Sequence, residues 1–496
     1  MTVMTIKTGR LARLAEQVRA ELYMLRYPDQ PWVVGRRRDD GAHVYDVAII
    51  GGGQGGLAIA ARLKRERVDN VIVYDERPAG LEGPWLTTAR MLTLRTMKHL
   101  PGIDATLPSL SPQAWYTARY GEEAWEAMDR IPKGDWQDYL NWCRATLDLP
   151  VRNQVRVTSV KPESGMFRLD LALVDATGDI ISTECSYARR VVLATGVDGG
   201  GAWHVPSFIS DNLPRDRYYS SGEHIDFSRM VGKRVAVLGA GASAYDNAST
   251  SLEKGALSAT VCIRRADVQR INPQMWMAKA GVLNHFADLP DDLKWQFMCH
   301  VYSCNIPAPQ PAYERLSSLA GASIRTNAEW KSVRIVDDGH GEEIEVLTAS
   351  GEKLRVDFLI VAIGFVQDFK LRPEMSNVVD DIALWRDRFS PPAGSVDAHV
   401  LAHPYLGPSF EFLEKTPGTA PHLSWMFNFT YSAFVSMGLS GSAISGFKYA
   451  LPRLVDGITR SLFLEDAETM FEQFRSYGEP EMVGAVPFNN DVSRVG

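Results

Sequence analysis

No stretch of 18 or more apolar residues occurs in this chain, so no membrane-spanning helix is expected. There is no Cys-x-x-Cys either. The 5 cysteines, at 143, 185, 262, 299 and 304, are odd in number and scattered, which excludes a disulfide framework or a zinc ribbon. Cys299 and Cys304 fall in a helical stretch and read as buried or half-buried thiols. No resident metal is expected. An excess of positive charge is also missing. The 53 basic residues face 60 acidic ones, giving a net charge of −7 and no general attraction to nucleic acid or anionic lipid. The opening MTVMTIKTGRLARLAEQVRAELYMLRYPDQPWV has charges throughout and no apolar core, so it is no secretory signal, and a cytoplasmic protein is expected.

What is present is an ordinary globular composition, 45% hydrophobic and 23% charged. At 496 residues the chain is too long for one core, and two to three domains follow. Residues 9–26 place Leu11, Leu14, Ala15, Val18, Leu22 and Leu25 at helical spacing. Arg36, Arg37, Arg38, Asp39 and Asp40 then read as an exposed, charged connector. From Tyr45 the period changes. YDVAII is a short, β-branched, continuous apolar run that suits a strand buried on both faces of a parallel sheet. GGGQGG follows, then a helix over 57–68 and a second strand, NVIVYD.

Gly51, Gly53 and Gly56 hold G-x-G-x-x-G spacing. The first permits the tight turn, the second lets backbone approach a pyrophosphate, and the third lets helix pack on sheet. The helix starts at the phosphate, where free N–H groups and the dipole favour negative charge. Asp75 stands 19 residues after Gly56, placed to take the ribose hydroxyls, with Glu76 as the alternate. About 190 positions further on the unit recurs. GKRVAVL is a strand, Gly239, Gly241 and Ala244 repeat the turn, residues 245–254 form a helix, and ATVCI is the next strand. That strand runs into Arg264 and Arg265 where a 2′-hydroxyl reader would carry an acid. Guanidinium groups pair with phosphate, which favours NADPH over NADH. A solvated arginine pair at a strand end is the plain alternative, and Arg270 is a weaker additional candidate.

Two further apolar runs, RVVLATG and DFLIVAIGF, stop abruptly in glycine, as strands do where a chain crosses between domains. Gly199, Gly200 and Gly201 look like such a hinge. From about Ser424 the pattern reads as loop, turn and a long helix over 443–458, and the tail from Pro480 reads as loosely structured.

Two dinucleotide sites, acid-type first and arginine-type second, imply flavin plus nicotinamide. Electrons then leave to a disulfide, to an external acceptor, or to oxygen. The first needs a cysteine pair that is missing. The second finds no cysteine cluster and no membrane-docking segment. Oxygen needs no protein redox group. An NAD(P)H:acceptor reductase without oxygen transfer remains the alternative, and a non-catalytic flavin-bound homologue is a third reading.

On GGGQGG, GPW (Gly83 to Trp85), LATG, GAGASA with Arg264-Arg265, and AIGF, the sequence resembles the class B flavoprotein monooxygenases from about Tyr45 to about Leu464. These comprise the flavin-containing, Baeyer–Villiger and N-hydroxylating monooxygenases. The resemblance implies an α/β fold of two Rossmann-like dinucleotide-binding domains, the FAD domain interrupted by the NADPH domain, with an N-terminal helical extension. The expected boundaries are 1–44 for the extension, 45–200 for the first part of the FAD domain, 201–365 for the NADPH domain, and 366–496 for the second part and C-terminal helix. It also implies that NADPH reduces FAD, that oxygen adds to give a C4a-(hydro)peroxyflavin, and that oxygen passes to a small molecule. Nitrogen, sulfur or an electron-rich carbon is favoured over a ketone. No nucleic acid or membrane partner is expected, and homo-oligomers are left open.

The family's G-G-x-W segment is Glu82-Gly83-Pro84-Trp85 here, with Glu for the first glycine. Trp85 is a flavin- or substrate-facing aromatic, or a core tryptophan. The F-x-G-x-x-x-H-x-x-x-W signature departs at every key residue, the best match being Leu213, Arg215 and Tyr219 with Glu223 last; His224 is out of phase. AIGF carries Ile363 where the family has Thr. These departures argue against a typical Baeyer–Villiger enzyme.

The expected cofactor-binding set is Gly51, Gly53, Gln54, Gly55, Gly56, Asp75, Glu76, Trp85, Val157, Thr195 and Gly196 for FAD. For NADPH it is Gly239, Gly241, Ala242, Ser243, Ala244, Arg264, Arg265 and Gly364. Ser440, Gly441 and Ser442, before the last helix, are expected at the flavin pyrimidine or as N-caps. The chemistry is flavin-centred, so no general base need leave a signature; Trp85 and Asn428 are the catalytic candidates. Two aromatic segments, 115–142 and the stretch with Met275, Trp276, Met277, Trp295 and Phe297, either wall the substrate pocket or pack between domains. Asn272 and His285 are polar residues in the second of these.

Overall fold

The computed structural model describes residues 3–482 and 484, apart from 105, 305, 338, 340, 396 and 440–442, with side chains from residue 9 onward. The chain begins with α1 (Val3–Met24), β1 (Val44–Ile50), α2 (Gln54–Arg65), β2 (Val71–Tyr74), α3 (Lys133–Leu147), β3 (Val151–Arg152), β4 (Val155–Glu163), β5 (Met166–Val174) and β6 (Ile180–Leu193). It continues through β7 (Gly201–Trp203), β8 (Tyr218–Ser220), β9 (Arg234–Leu238), α4 (Ala242–Glu253), β10 (Ser258–Cys262), α5 (Asp291–Cys304), α6 (Gln310–Ser317) and β11 (Ala322–Arg325). Then come β12 (Trp330–Asp337), β13 (Glu342–Thr348), β14 (Lys353–Val356), β15 (Phe358–Val361), β16 (Phe365–Gln367), β17 (Met426–Asn428) and α7 (Phe447–Glu465).

The first sheet has seven strands in the order β3-β2-β1-β6-β5-β4, with β17 also on β6. β1 lies between two parallel neighbours, Val47 opposite Val71 on β2 and Arg190 on β6. A strand so placed is covered on both faces, which is why VYDVAII is apolar without alternation. α2 covers one face and buries seven of its residues, Gly56 to Ala61 and Leu63. β6 serves two structures. Its first half pairs with β5 in an antiparallel meander, and its last residues enter the parallel sheet beside β1 and β17. The second sheet, β11-β10-β9-β15-β8, is parallel throughout. The molecule is therefore α/β with two doubly wound units, the second inserted into the first. β7 and β16, an antiparallel pair, mark the two crossings between them.

Some details differ from the sequence reading. The last helix starts at Phe447 rather than 443, after a 3-10 turn at Ile444–Gly446. β17 falls where loop was expected. The connector at 36–40 is less exposed than its charge suggested. Arg36 pairs with Glu465 and Asp466, and Arg38 with Glu163. Beside it Arg189 and Arg190 lie fully buried on β6, balanced by Asp46, Glu465 and Asp466. Buried charge is tolerated when paired in this way. The tail from Pro480 lies mostly outside the described residues.

Candidate active site

Both glycine turns are built on the same steric rule. Gly51 has φ +107, and a Cβ there would lie 2.5 Å from the Ala194 carbonyl at the end of β6. Gly239 has φ +148, and a Cβ there would run into the Ala362 carbonyl after β15. Each turn thus presses its first glycine against the neighbouring strand's end, where no side chain fits. A Cβ on Gly56 would strike the Gly51 carbonyl. Gly53 N-caps α2 and Gly241 N-caps α4, and neither helix has a side-chain cap. The first amides of both helices are therefore not taken by a cap and stand where an anion would meet the dipole.

The structure separates the two acids after β2. Asp75 is buried against the turn: Gly52 N–H donates to Oδ2 at 2.7 Å, and Arg77 N–H to Oδ1 at 2.8 Å. Burial pushes its carboxyl up to about 6, against the pull of those two amides. Glu76 points to the surface and pairs with Arg156 at 2.9 Å. Asp75 is the acid on the cradle.

Trp85 lies above the same turn. Its ring makes an edge contact with Trp136 at 6.3 Å, and its Nε1 is buried with no acceptor. A Cβ on Gly83 would sit 3.5 Å from that nitrogen and 3.9 Å from the Cα of Gly53. The unused N–H thus stands at the mouth of the cradle. Glu82, the departure from the family pattern, is an anchor. It is buried and accepts from Arg144 at 2.5 Å, from Asn153 at 2.7 Å and from the Gly80 amide at 2.8 Å.

At the second turn Ala242 and Ala244 are buried, and the Ser243 carbonyl accepts from Asn247 at 2.8 Å. Beyond β10, Arg264 and Arg270 are exposed, while Arg265 is half-buried and holds the Ser303 carbonyl at 3.0 Å. None of the three has a carboxylate partner in an ion pair among the described residues, and Arg264 stands just past the end of β10.

The carboxyl ends of the two central strands converge. Gly196, with φ +91, accepts from the Tyr431 amide at 3.3 Å, and the Tyr431 ring meets Phe365 edge-on at 5.2 Å. Gly364, with φ +90, accepts from the His204 amide at 3.0 Å. Thr195 packs against Gly199, and its buried hydroxyl lacks a partner. Phe429 lies 3.5 Å from the Cβ position of Gly55, so the segment after β17 closes over the first turn.

Other expected residues are placed differently. Asn428 is fully buried and its amide is spent on its own loop, donating to Ser432 and accepting from Thr430. These bonds hold the loop 428–432 together. Val157 is buried in the core on β4. Ser440, Gly441 and Ser442 lie outside the described residues. Trp115, Trp125 and Trp136 belong to the first core, and Trp295 and Met277 to a separate one, whereas Met275 and Trp276 are exposed. Asn272 caps a short helix, accepting from the Gln274 amide at 3.0 Å. His285 is exposed beside Asp288. Leu213 and Tyr219 are core residues, and Glu223 accepts from Arg215 and the Ser220 amide. All five cysteines are free, and burial pushes the Cys262 thiol up to about 11. Among the described residues no cluster could hold a metal, and no helix is long and apolar enough to cross a membrane.

Residues 45–281 match the family model for pyridine nucleotide-disulphide oxidoreductases. Over 479 residues the chain is 43% identical to an FAD-dependent urate hydroxylase of Xanthomonas campestris pv. campestris, covering 96% of this chain and 98% of that protein. Among solved structures, the reduced ornithine hydroxylase PvdA of Pseudomonas aeruginosa superposes with a TM-score of 0.64 at 14% identity, over 84% of this chain and 100% of that one. The ornithine N-hydroxylase KtzI of Kutzneria sp. 744 does so with 0.64 at 16% identity, over 84% and 99%. With 43% identity over nearly the whole of both proteins, the chain belongs to the family of this FAD-dependent urate hydroxylase, and it shares its fold with the two ornithine hydroxylases.

Proposed function

We propose that this protein is an FAD- and NADPH-dependent monooxygenase that hydroxylates an electron-rich carbon of a planar, urate-like heteroaromatic compound. The observation that carries the reading is the convergence on Tyr431 of Gly196, just past β6, and Phe365, just past β15, the strands that flank the nucleotide-binding β1 and β9. With the strands beside both cradles meeting at one residue, hydride has a short route between their ligands. The urate specificity of the Xanthomonas relative, similar along nearly the whole chain, supports the substrate class.

The residues fit the two cofactors. The Gly51–Gly56 turn and the first amides of α2 hold the FAD pyrophosphate, Asp75 takes its ribose hydroxyls, and the Trp85 N–H gains an acceptor. The Gly239–Ala244 turn holds the second pyrophosphate, and Arg264 takes the 2′-phosphate. FAD, once reduced by NADPH, supplies the activation of dioxygen. The chain's own contribution is to exclude water and fix geometry. Phe365, Tyr431 and Phe429 give the crossing an aromatic wall, and the Asn428–Thr430–Ser432 hydrogen bonds keep that wall rigid.

The test is a coupled assay on the FAD-loaded protein. Urate is expected to accelerate NADPH oxidation and oxygen uptake in equal amounts. Anaerobic turnover with dyes or quinones, with no response to urate or other purines, would replace this reading with an acceptor reductase.

A further inference from the structure

Four cations gather where the two nucleotide units touch. Arg90 and Arg95 come from the loop after Trp85, Lys133 opens α3, and Arg315 lies on α6 of the second unit. Arg95, Lys133 and Arg315 bear on Asp246, one turn into α4, the helix that starts at the second glycine turn, and Arg90 lies beside Lys133. Asp246 is buried, 3.7 Å from Arg95 and 3.4 Å from Arg315. Arg315 also pairs with Glu253 at 2.6 Å and crosses to the Arg90 carbonyl at 2.8 Å. Arg90 spends its donors on backbone, the Thr88 carbonyl and, across the boundary, the Glu223 carbonyl at 2.7 Å. Lys133 donates to the Ala89 carbonyl. The Glu223 carboxylate is committed to Arg215 and the Ser220 amide.

Counting Glu223, which faces Arg90, together with its partner Arg215, five cations face three carboxylates, Asp246, Glu253 and Glu223, leaving two positive charges in excess. The other buried arginine cluster is balanced, Arg36, Arg189 and Arg190 against Asp46, Glu465 and Asp466. Arg90, Lys133 and Arg315 are half-buried and Arg95 is exposed; uncompensated charge on the half-buried three is costly unless a ligand supplies the counter-charge. Burial holds Lys133 below its ordinary range, and Arg90 and Arg315 push it the same way; burial brings Arg90 down to about 10.

We propose that Arg90, Arg95, Lys133 and Arg315 form a cross-unit clamp for the diphosphate bridge of the nicotinamide dinucleotide. The inference rests on the reading above that the chain binds NADPH. The surplus of two charges matches the two negative charges of a diphosphate, and the site shares α4 with the glycine turn that holds it. Three of the four cations, Arg90, Arg95 and Lys133, come from the flavin unit and Arg315 from the second, so nicotinamide binding draws the units together. The clamp differs from Arg264, which reads only the 2′-phosphate and so separates NADPH from NADH.

The experiment compares the FAD-loaded wild-type protein with Arg95→Gln/Lys133→Gln, titrating NADP⁺ and NAD⁺ by perturbation of the flavin absorbance, with inorganic pyrophosphate as competitor. The double variant is expected to bind both dinucleotides at least about tenfold more weakly, with an unchanged ratio between them. Pyrophosphate is expected to displace NADP⁺ from the wild-type protein at lower concentration than from the variant. Unchanged dissociation constants in a variant of wild-type melting temperature would overturn the clamp, and so would a change confined to NADP⁺ or to the KM for urate. A wild-type protein that binds neither dinucleotide would overturn the NADPH reading as well.

Discussion

If FAD's ribose sits on the buried Asp75 as proposed, FAD affinity is expected to vary with pH. Its carboxyl stands at about 6 against an ordinary 3.8, chiefly because burial disfavours the charge. About two units correspond to roughly 3 kcal/mol between the protonation states. Since the folded value is raised, the apoprotein's stability from this group is complete below the ordinary carboxylate range and is lost as pH rises through 6. Ribose hydroxyls donating to the carboxylate reverse that preference, so FAD selects the ionised form. Between pH 7 and pH 5 the ionised fraction of the apoprotein falls about tenfold, and the FAD dissociation constant is expected to rise by about that factor. The assay is titration of deflavinated protein with FAD, followed by quenching of flavin fluorescence from pH 5 to 8. Glu76→Gln, removing the surface acid paired with Arg156, is expected to leave the profile in place. A flat profile in the wild-type protein would refute the assignment of Asp75 to the ribose.

Three further outcomes follow from single contacts. Trp85→Phe keeps the ring against Trp136 and removes the unused N–H; FAD is expected to bind about tenfold more weakly, and an unchanged titration would return Trp85 to the core. Arg264→Ala is expected to lower the preference for NADPH over NADH in steady-state kinetics by about tenfold or more, whereas an unchanged ratio would remove the arginine from the phosphate. Glu82→Leu strands Arg144 and Asn153, and a loss of about 3 kcal/mol is expected in urea unfolding; a variant as stable as the wild-type protein would contradict the anchoring role.

What was legible in the sequence was local. Gly51, Gly53, Gly56 and Asp75 fall within one strand–turn–helix–strand unit, and their spacing carries their geometry. The second turn was legible for the same reason. Glu82 stood out only as a departure, because its partners Arg144 and Asn153 lie on other elements and leave no periodic trace. The cation cluster joins Arg90 to Arg315 across two units, a contact that a chain read end to end does not show. β17 was read as loop because three residues give no alternation, and its place beside β6 comes from the returning chain. The hydrogen bonds of Asn428 to Thr430 and Ser432, two and four residues on, depend on how that loop folds and left no pattern in the sequence.

The most direct test of the account is isotopic. Turnover of urate with NADPH under ¹⁸O₂ is expected to place one heavy oxygen atom in the first hydroxylated product, detected by rapid-quench mass spectrometry, with one NADPH consumed per product. Product oxygen drawn from water, or NADPH spent with all the heavy oxygen recovered as hydrogen peroxide, would contradict it.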